Sequence, residues 1–108
     1  MQPELRRAID AELKNAELAR LNGNEGRARV CARRAAGLAA RRYLSEQGVR
    51  LRSTSAYEAL KSLATFPDLR PDLRLACRHL TLVVSEEFKL PDGIDLIKEA
   101  KTLIGGLE

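Results

Sequence analysis

Aromatic residues are scarce in this chain: there is no tryptophan, and two tyrosines and two phenylalanines make up 4% of 108 residues. β-Branched residues rarely cluster either. A sheet is built mainly from those two kinds of side chain, so the composition argues against strands. Histidine occurs once and cysteine twice. Cys31 and Cys77 lack C-x-x-C spacing, and one histidine cannot complete a zinc site with them, so no metal centre is expected. Both fall on apolar faces of predicted helices, as the buried free thiols of a protein in a reducing cytoplasm would. No apolar run approaches the length of a membrane span, and the charged opening MQPELRRAID gives no expectation of a secretory signal. Gly23, Gly26 and Gly37 lack the pattern of a phosphate loop, and no nucleophile elbow or histidine-based triad is present. No cofactor is expected.

What the chain does have is leucine, alanine and arginine, all strong helix formers. Its length suits one domain, residues 1–108, with one modest core and little left over for a deep substrate cavity. The densest signal is Asn24 to Tyr43, NEGRARVCARRAAGLAARRY, with six arginines between Arg27 and Arg42. At 100° per residue, Ala28, Cys31, Ala32, Ala35, Ala36, Ala39 and Tyr43 share one face. Arg27, Arg34 and Arg41 form a ridge along one flank, and Arg29 and Arg33 stand on the other. The reading is a helix with a small-residue seam for close packing and a basic outer surface.

Charge is unevenly placed. Residues 1–52 carry twelve Lys/Arg against six Asp/Glu, and residues 53–108 carry seven against nine, which together give the net +4. A first half at +6 favours a polyanion such as RNA, or pairing of one chain with another. The plainer alternative is a solvated helix surface.

Breakers and caps divide the chain into helices. The first is predicted over Pro3–Leu21, with proline at its first turn and Asn22-Gly23 closing it. Leu5, Ala8, Ile9, Ala16 and Ala19 form its inner face. Glu12 lies among them and requires a partner, for which an arginine of the second helix is the natural candidate. Asn24 caps that second helix, which continues to about Gln47 and ends at Gly48. The short turn between the two makes them an antiparallel hairpin. Ser55, with Glu58 three residues on, opens a short third helix reaching about Thr65. FPDLRP breaks the chain, and Pro71 begins a fourth helix lasting to about Phe88, with Leu73, Ala76, Cys77, Leu80, Val83, Val84 and Phe88 on its core face. A fifth runs from about Ile94 to Ile104 and stops at Gly105-Gly106. The fold class is all-α: a small up-down bundle of four to five helices led by a long antiparallel hairpin.

On the fourth helix, Arg74-Leu75-Ala76-Cys77-Arg78-His79 places an arginine ahead of the histidine with four residues between them. This spacing resembles the motif of the HEPN superfamily (higher eukaryotes and prokaryotes nucleotide-binding), and the order of helices is similar to that family's as well. The resemblance implies a cleft at a dimer interface lined by Arg74 and His79. There the histidine would handle a proton or the 2′-hydroxyl of RNA and the arginine would stabilise the phosphate. Cleavage of RNA by its own 2′-hydroxyl requires no metal, only a group titrating near neutrality and a cation beside the developing charge. Arg74 and His79 stand about 140° apart on an ideal helix, so their convergence calls for a second chain or a distorted helix start. Leu75 and Leu82, seven residues apart beside His79, suggest contact with another helix, either the fifth helix of the same chain or, if that does not cover them, a second copy in a symmetric homodimer.

Three readings stay open. The leading one is a small cytoplasmic helical binding module, dimeric, that meets RNA or a partner protein through Arg27, Arg29, Arg33, Arg34 and Arg41. The second is a metal-independent endoribonuclease using Arg74 and His79. The third is a regulatory or scaffold domain without nucleic-acid contact, in which Glu12 and the arginines of the second helix are paired.

Overall fold

The computed structural model describes residues 1–82, 90–91 and 93–108. It is all-helical over its regular elements: α1 Pro3–Leu21, α2 Glu25–Glu46, α3 Ala56–Ala64, α4 Pro71–Leu80 and α5 Leu96–Leu107. Pro3 starts α1 where a missing N–H costs nothing. Gly23, at φ +76°, turns the chain between α1 and α2. Asn24 then caps α2, its side-chain oxygen accepting the Arg27 N–H at 3.0 Å. Ser55 caps α3 in the same way by accepting the Glu58 N–H.

Helix α2 is the hub. It packs against α1, α3 and α5, and Ala28, Cys31, Ala32, Ala35, Ala36, Ala39 and Ala40 are all buried in it. Bulk comes from its neighbours: Ile9 on α1, Leu60 and Leu63 on α3, Leu73 and Leu80 on α4, Leu96 and Leu103 on α5. Small residues on the hub let the backbones approach, and the surrounding leucines fill what remains. Ala8, expected inside, is exposed, whereas Ile9, Ala16 and Ala19 are buried and Leu5 packs at the edge. Tyr43, also expected in the seam, is half-buried and meets Phe66 edge-on at 5.6 Å between ring centroids.

Two helix ends differ from the sequence reading. Helix α4 stops at Leu80 rather than near Phe88. The Thr81 hydroxyl bonds back to the Cys77 carbonyl at 2.9 Å, and Arg33 Nε of α2 donates to the Leu80 carbonyl at 2.6 Å, so side chains close the last turn. Val83, Val84 and Phe88, expected on the core face of this helix, lie outside the described residues.

The end of α5 differs in the opposite sense: the helix begins at Leu96 and runs through Gly105-Gly106 to Leu107. Gly106 lies against the Leu73 side chain, where a Cβ would collide with its methyl groups. Leu107 is buried, and its carbonyl accepts from Arg42 Nη2 at 2.9 Å. Tertiary contact thus carries the helix across two residues that disfavour it.

Arg20 joins three elements. It reaches Glu25 at the start of α2 at 2.7 Å and Asp95, the N-cap of α5, at 3.0 Å. The Asp95 oxygen also accepts the backbone N–H of Ile97 at 3.0 Å. The bond from Arg20, with help from the backbone N–H groups of Lys98 and Ile97, holds the Asp95 carboxyl below its ordinary range. A folded value below the unfolded one of about 3.9 stabilises the protein above that pH. The contribution disappears as pH falls through the folded value. Asp95→Ala is expected to cost about 1–2 kcal/mol at pH 7 by urea denaturation, mostly through the cap because the ion pair is well solvated. It should also flatten the loss of stability below about pH 4.

The glycines supply a second test. A Cβ on Gly37 of α2 would lie 2.5 Å from the Ala56 Cβ, whereas nothing lies within 4 Å of one on Gly105. Gly105→Ala is expected to raise stability by about 0.5–1 kcal/mol. Gly37→Ala should lower it by about 1–3 kcal/mol, both read from denaturation midpoints.

Candidate functional site: a basic groove between α1, α2 and α3

Along α2, Val30, Arg34, Gly37, Leu38 and Arg41 recur at helical spacing on one side of the helix, with Gly37 buried and the others at least partly exposed. Because Gly37 has no side chain, the start of α3 seats directly on α2 at Ala56. The result is a groove of about 500 Å³ whose walls are α2, Glu12 of α1, and Thr54, Ser55 and Tyr57 at the head of α3. Arg33, Arg34 and Arg41 line it together.

These three arginines are held differently. Arg33 is half-buried and anchored through Nε to the Leu80 carbonyl. Burial first, and the neighbouring Arg29 second, lower its pKa from the ordinary value, partly offset by Tyr57. Arg41 donates through Nη2 to the Ser53 carbonyl at 2.7 Å, which fixes the loop leading into α3. Arg34 is exposed and makes no hydrogen bond or ion pair among the described residues. Among the described residues none of the three pairs with a carboxylate, so the groove keeps positive charge. The N–H groups of Ala56 and Tyr57 in the first turn of α3 add to it.

Glu12 is half-buried in the groove wall, yet no hydrogen-bond or ion-pair partner reaches it among the described residues. The ion pair expected with an arginine of α2 does not form. Backbone carbonyls hold Arg33 and Arg41 instead. Tyr57 stands at the rim, 39% exposed, with Lys61 Nζ 5.2 Å from its ring centroid. The other basic candidates lie outside this groove: Arg27 is exposed near the start of α2, and Arg29 is half-buried. The groove therefore cuts across the two flanks read from the helical wheel, because Arg33 joins Arg34 and Arg41 in its lining.

Arg74 and His79 take separate partners. The Arg74 guanidinium donates to the Ala64 carbonyl at the end of α3, to Phe66 at 3.1 Å and to Leu69 at 3.4 Å. Those carbonyls surround Asp68, whose φ of 65° is the one positive value outside glycine among the described residues. Arg74 thus clasps a turn. His79 Nδ1 lies 2.8 Å from Glu99 Oε1 of α5, both side chains being largely covered. Leu75 is 51% exposed on α4, but Leu82 lies beyond the end of that helix and is half-buried. The two therefore do not form one helical stripe.

A second groove of about 530 Å³ runs between the end of α1 and the start of α5. Two of its lining cations are matched by carboxylates, Arg20 by Asp95 and Lys101 by Glu17 at 2.6 Å, and Lys98 stands exposed beside them, so it gathers less uncommitted positive charge than the first. Both cysteines are buried and unbonded, and burial pushes the Cys77 thiol up to about 12. Among the described residues no helix is long and apolar enough to cross a membrane, and no three metal-ligating side chains cluster. No protein-family model, curated protein or solved structure matches the chain.

Tyr57 and its neighbours Thr54 and Ser55 were not identified as groove residues from the sequence. The available signal was Gly37, a glycine in mid-helix between Arg34 and Arg41, which marks a close backbone approach.

The clasp formed by Arg74 is open to test. Arg74→Ala leaves three carbonyls without their charged donor and is expected to cost about 2–3 kcal/mol in urea denaturation. Arg74→Lys, a point charge without the planar fork, should recover only part of it.

Proposed function

We propose that this chain is a nucleic-acid-binding module that holds single-stranded RNA by its phosphates in the groove between α1, α2 and α3. The observation that carries the reading is the convergence of Arg33, Arg34 and Arg41 with no carboxylate paired to any of them among the described residues. A phosphodiester supplies the missing counter-charge, and guanidinium suits it geometrically. Tyr57 at the rim offers a ring on which a base can stack, a role the few aromatics of this chain rarely permit. A base has to be unpaired to stack on Tyr57, which favours a single strand over a duplex. Two buried, unbonded thiols fit a reducing cytoplasm.

Fluorescence anisotropy with a labelled single-stranded RNA decamer tests the reading. Two or three phosphate contacts predict a loss of roughly ten-fold in affinity between 50 and 200 mM salt. Arg34→Glu should weaken binding by at least about ten-fold without unfolding the protein, since Arg34 holds nothing in place. Arg78→Glu, the same change on the exposed face of α4, serves as control. Equal binding by wild type and Arg34→Glu would overturn the assignment.

A further inference from the structure

A site that only gripped phosphate would have no use for a carboxylate, which repels it. Glu12 nevertheless lines the same groove as Arg33, Arg34 and Arg41, half-buried and without a partner among the described residues. From these observations, and resting on the nucleic-acid reading above, we infer that the groove selects a guanine base, with Glu12 accepting from its Watson–Crick edge while Tyr57 stacks on its face.

The argument is one of donors and acceptors. A carboxylate offers acceptors only, two oxygens side by side. Guanine presents two adjacent donors, N1–H and the N2 amino group, which match that pair. Adenine and cytosine each present an amino donor beside a ring-nitrogen acceptor, and uracil a single N–H between two carbonyls. Each of those three would set a lone pair against a carboxylate oxygen. Rejection of the wrong base is then as important as attraction of the right one. Tyr57, exposed at the rim, supplies the flat surface, and Arg34 on the neighbouring wall meets the attached phosphate. A volume of about 500 Å³ accommodates one nucleotide and lies within the range of small-ligand sites. The chemistry recognised is a guanine with a phosphate beside it, whether within RNA or as a free nucleotide.

The experiment compares labelled uridine decamers carrying one central guanosine, adenosine or cytidine, with GMP and AMP as competitors. Wild-type protein should bind the guanosine decamer at least about five-fold more tightly than the others, the lower end for a bidentate base contact. Glu12→Gln keeps the size of the side chain but replaces one acceptor with a donor. It should bring the ratio of guanosine to adenosine affinity to about one, with binding of the adenosine decamer equal or tighter. Tyr57→Leu should weaken all decamers alike and keep the preference. Competition by GMP and not AMP assigns the site to the free nucleotide, and preference confined to the decamers assigns it to RNA. Equal wild-type affinity for all decamers, with Arg34→Glu still defective, would overturn the guanine inference and leave the phosphate grip standing. A preference unaltered by Glu12→Gln would overturn it too. Absence of binding to any decamer at low salt would overturn both.

Discussion

Arginine bound to backbone carbonyl is the interaction on which this fold depends. Every helix leaves its last carbonyls without intrahelical donors, and in a bundle of short helices many of those ends are covered. Here arginines close them: Arg74 at the end of α3, Arg33 at the end of α4, Arg42 at the end of α5. Each guanidinium also sits at the negative pole of the helix it closes, so dipole and hydrogen bond act together. Arg33 and Arg42 both come from α2, which makes that helix the fastener as well as the hub.

The alanine content of α2 and its arginine content are two halves of one arrangement. Alanine and glycine let α1, α3 and α5 approach closely, but such small side chains cannot reach a neighbour's helix end. Arginine can, laying its aliphatic stem along the packed surface and delivering its head at the rim. Gly37 shows the tightness of the result, since α3 begins where the α2 side chain is missing. The groove follows from the same geometry, because seating α3 on Gly37 leaves Arg34 and Arg41 standing on either side of the contact.

Local signals in the sequence were sufficient for the first three helices. Pro3, Asn24 and Ser55 act through neighbours a few residues away, and α1 occupies its expected span. The ends of α4 and α5 depend on Arg33, Leu73 and Arg42, which are distant in the chain, and no local rule anticipates them. The site was partly readable for the same reason. Periodicity put Arg34 and Arg41 on one face, but the destination of a long side chain is decided in three dimensions. The spacing of Arg74 and His79 is a case in point: one turns to the carbonyls around Asp68 and the other to Glu99. Tyr57 entered the site only through the docking of α3, which a lone tyrosine near a helix start does not announce.

A structural role for an arginine does not remove it from the electrostatics of the surface. A guanidinium paired with a carboxylate presents little net charge to a third group, as Arg20 does beside Glu25 and Asp95. One that donates to a neutral carbonyl keeps its full unit of charge and is oriented by the bond. Arg33 and Arg41 therefore fasten the bundle and still confront the groove as cations, pre-positioned, with other N–H donors remaining on each head. Half-burial of Arg33 reduces the water that would otherwise screen it. Carbonyl-bound arginines thereby bring positive charge to the place where α2, α3 and Glu12 of α1 meet. A ligand that brings negative charge there neutralises the cations without competing for the bonds that hold the helices closed.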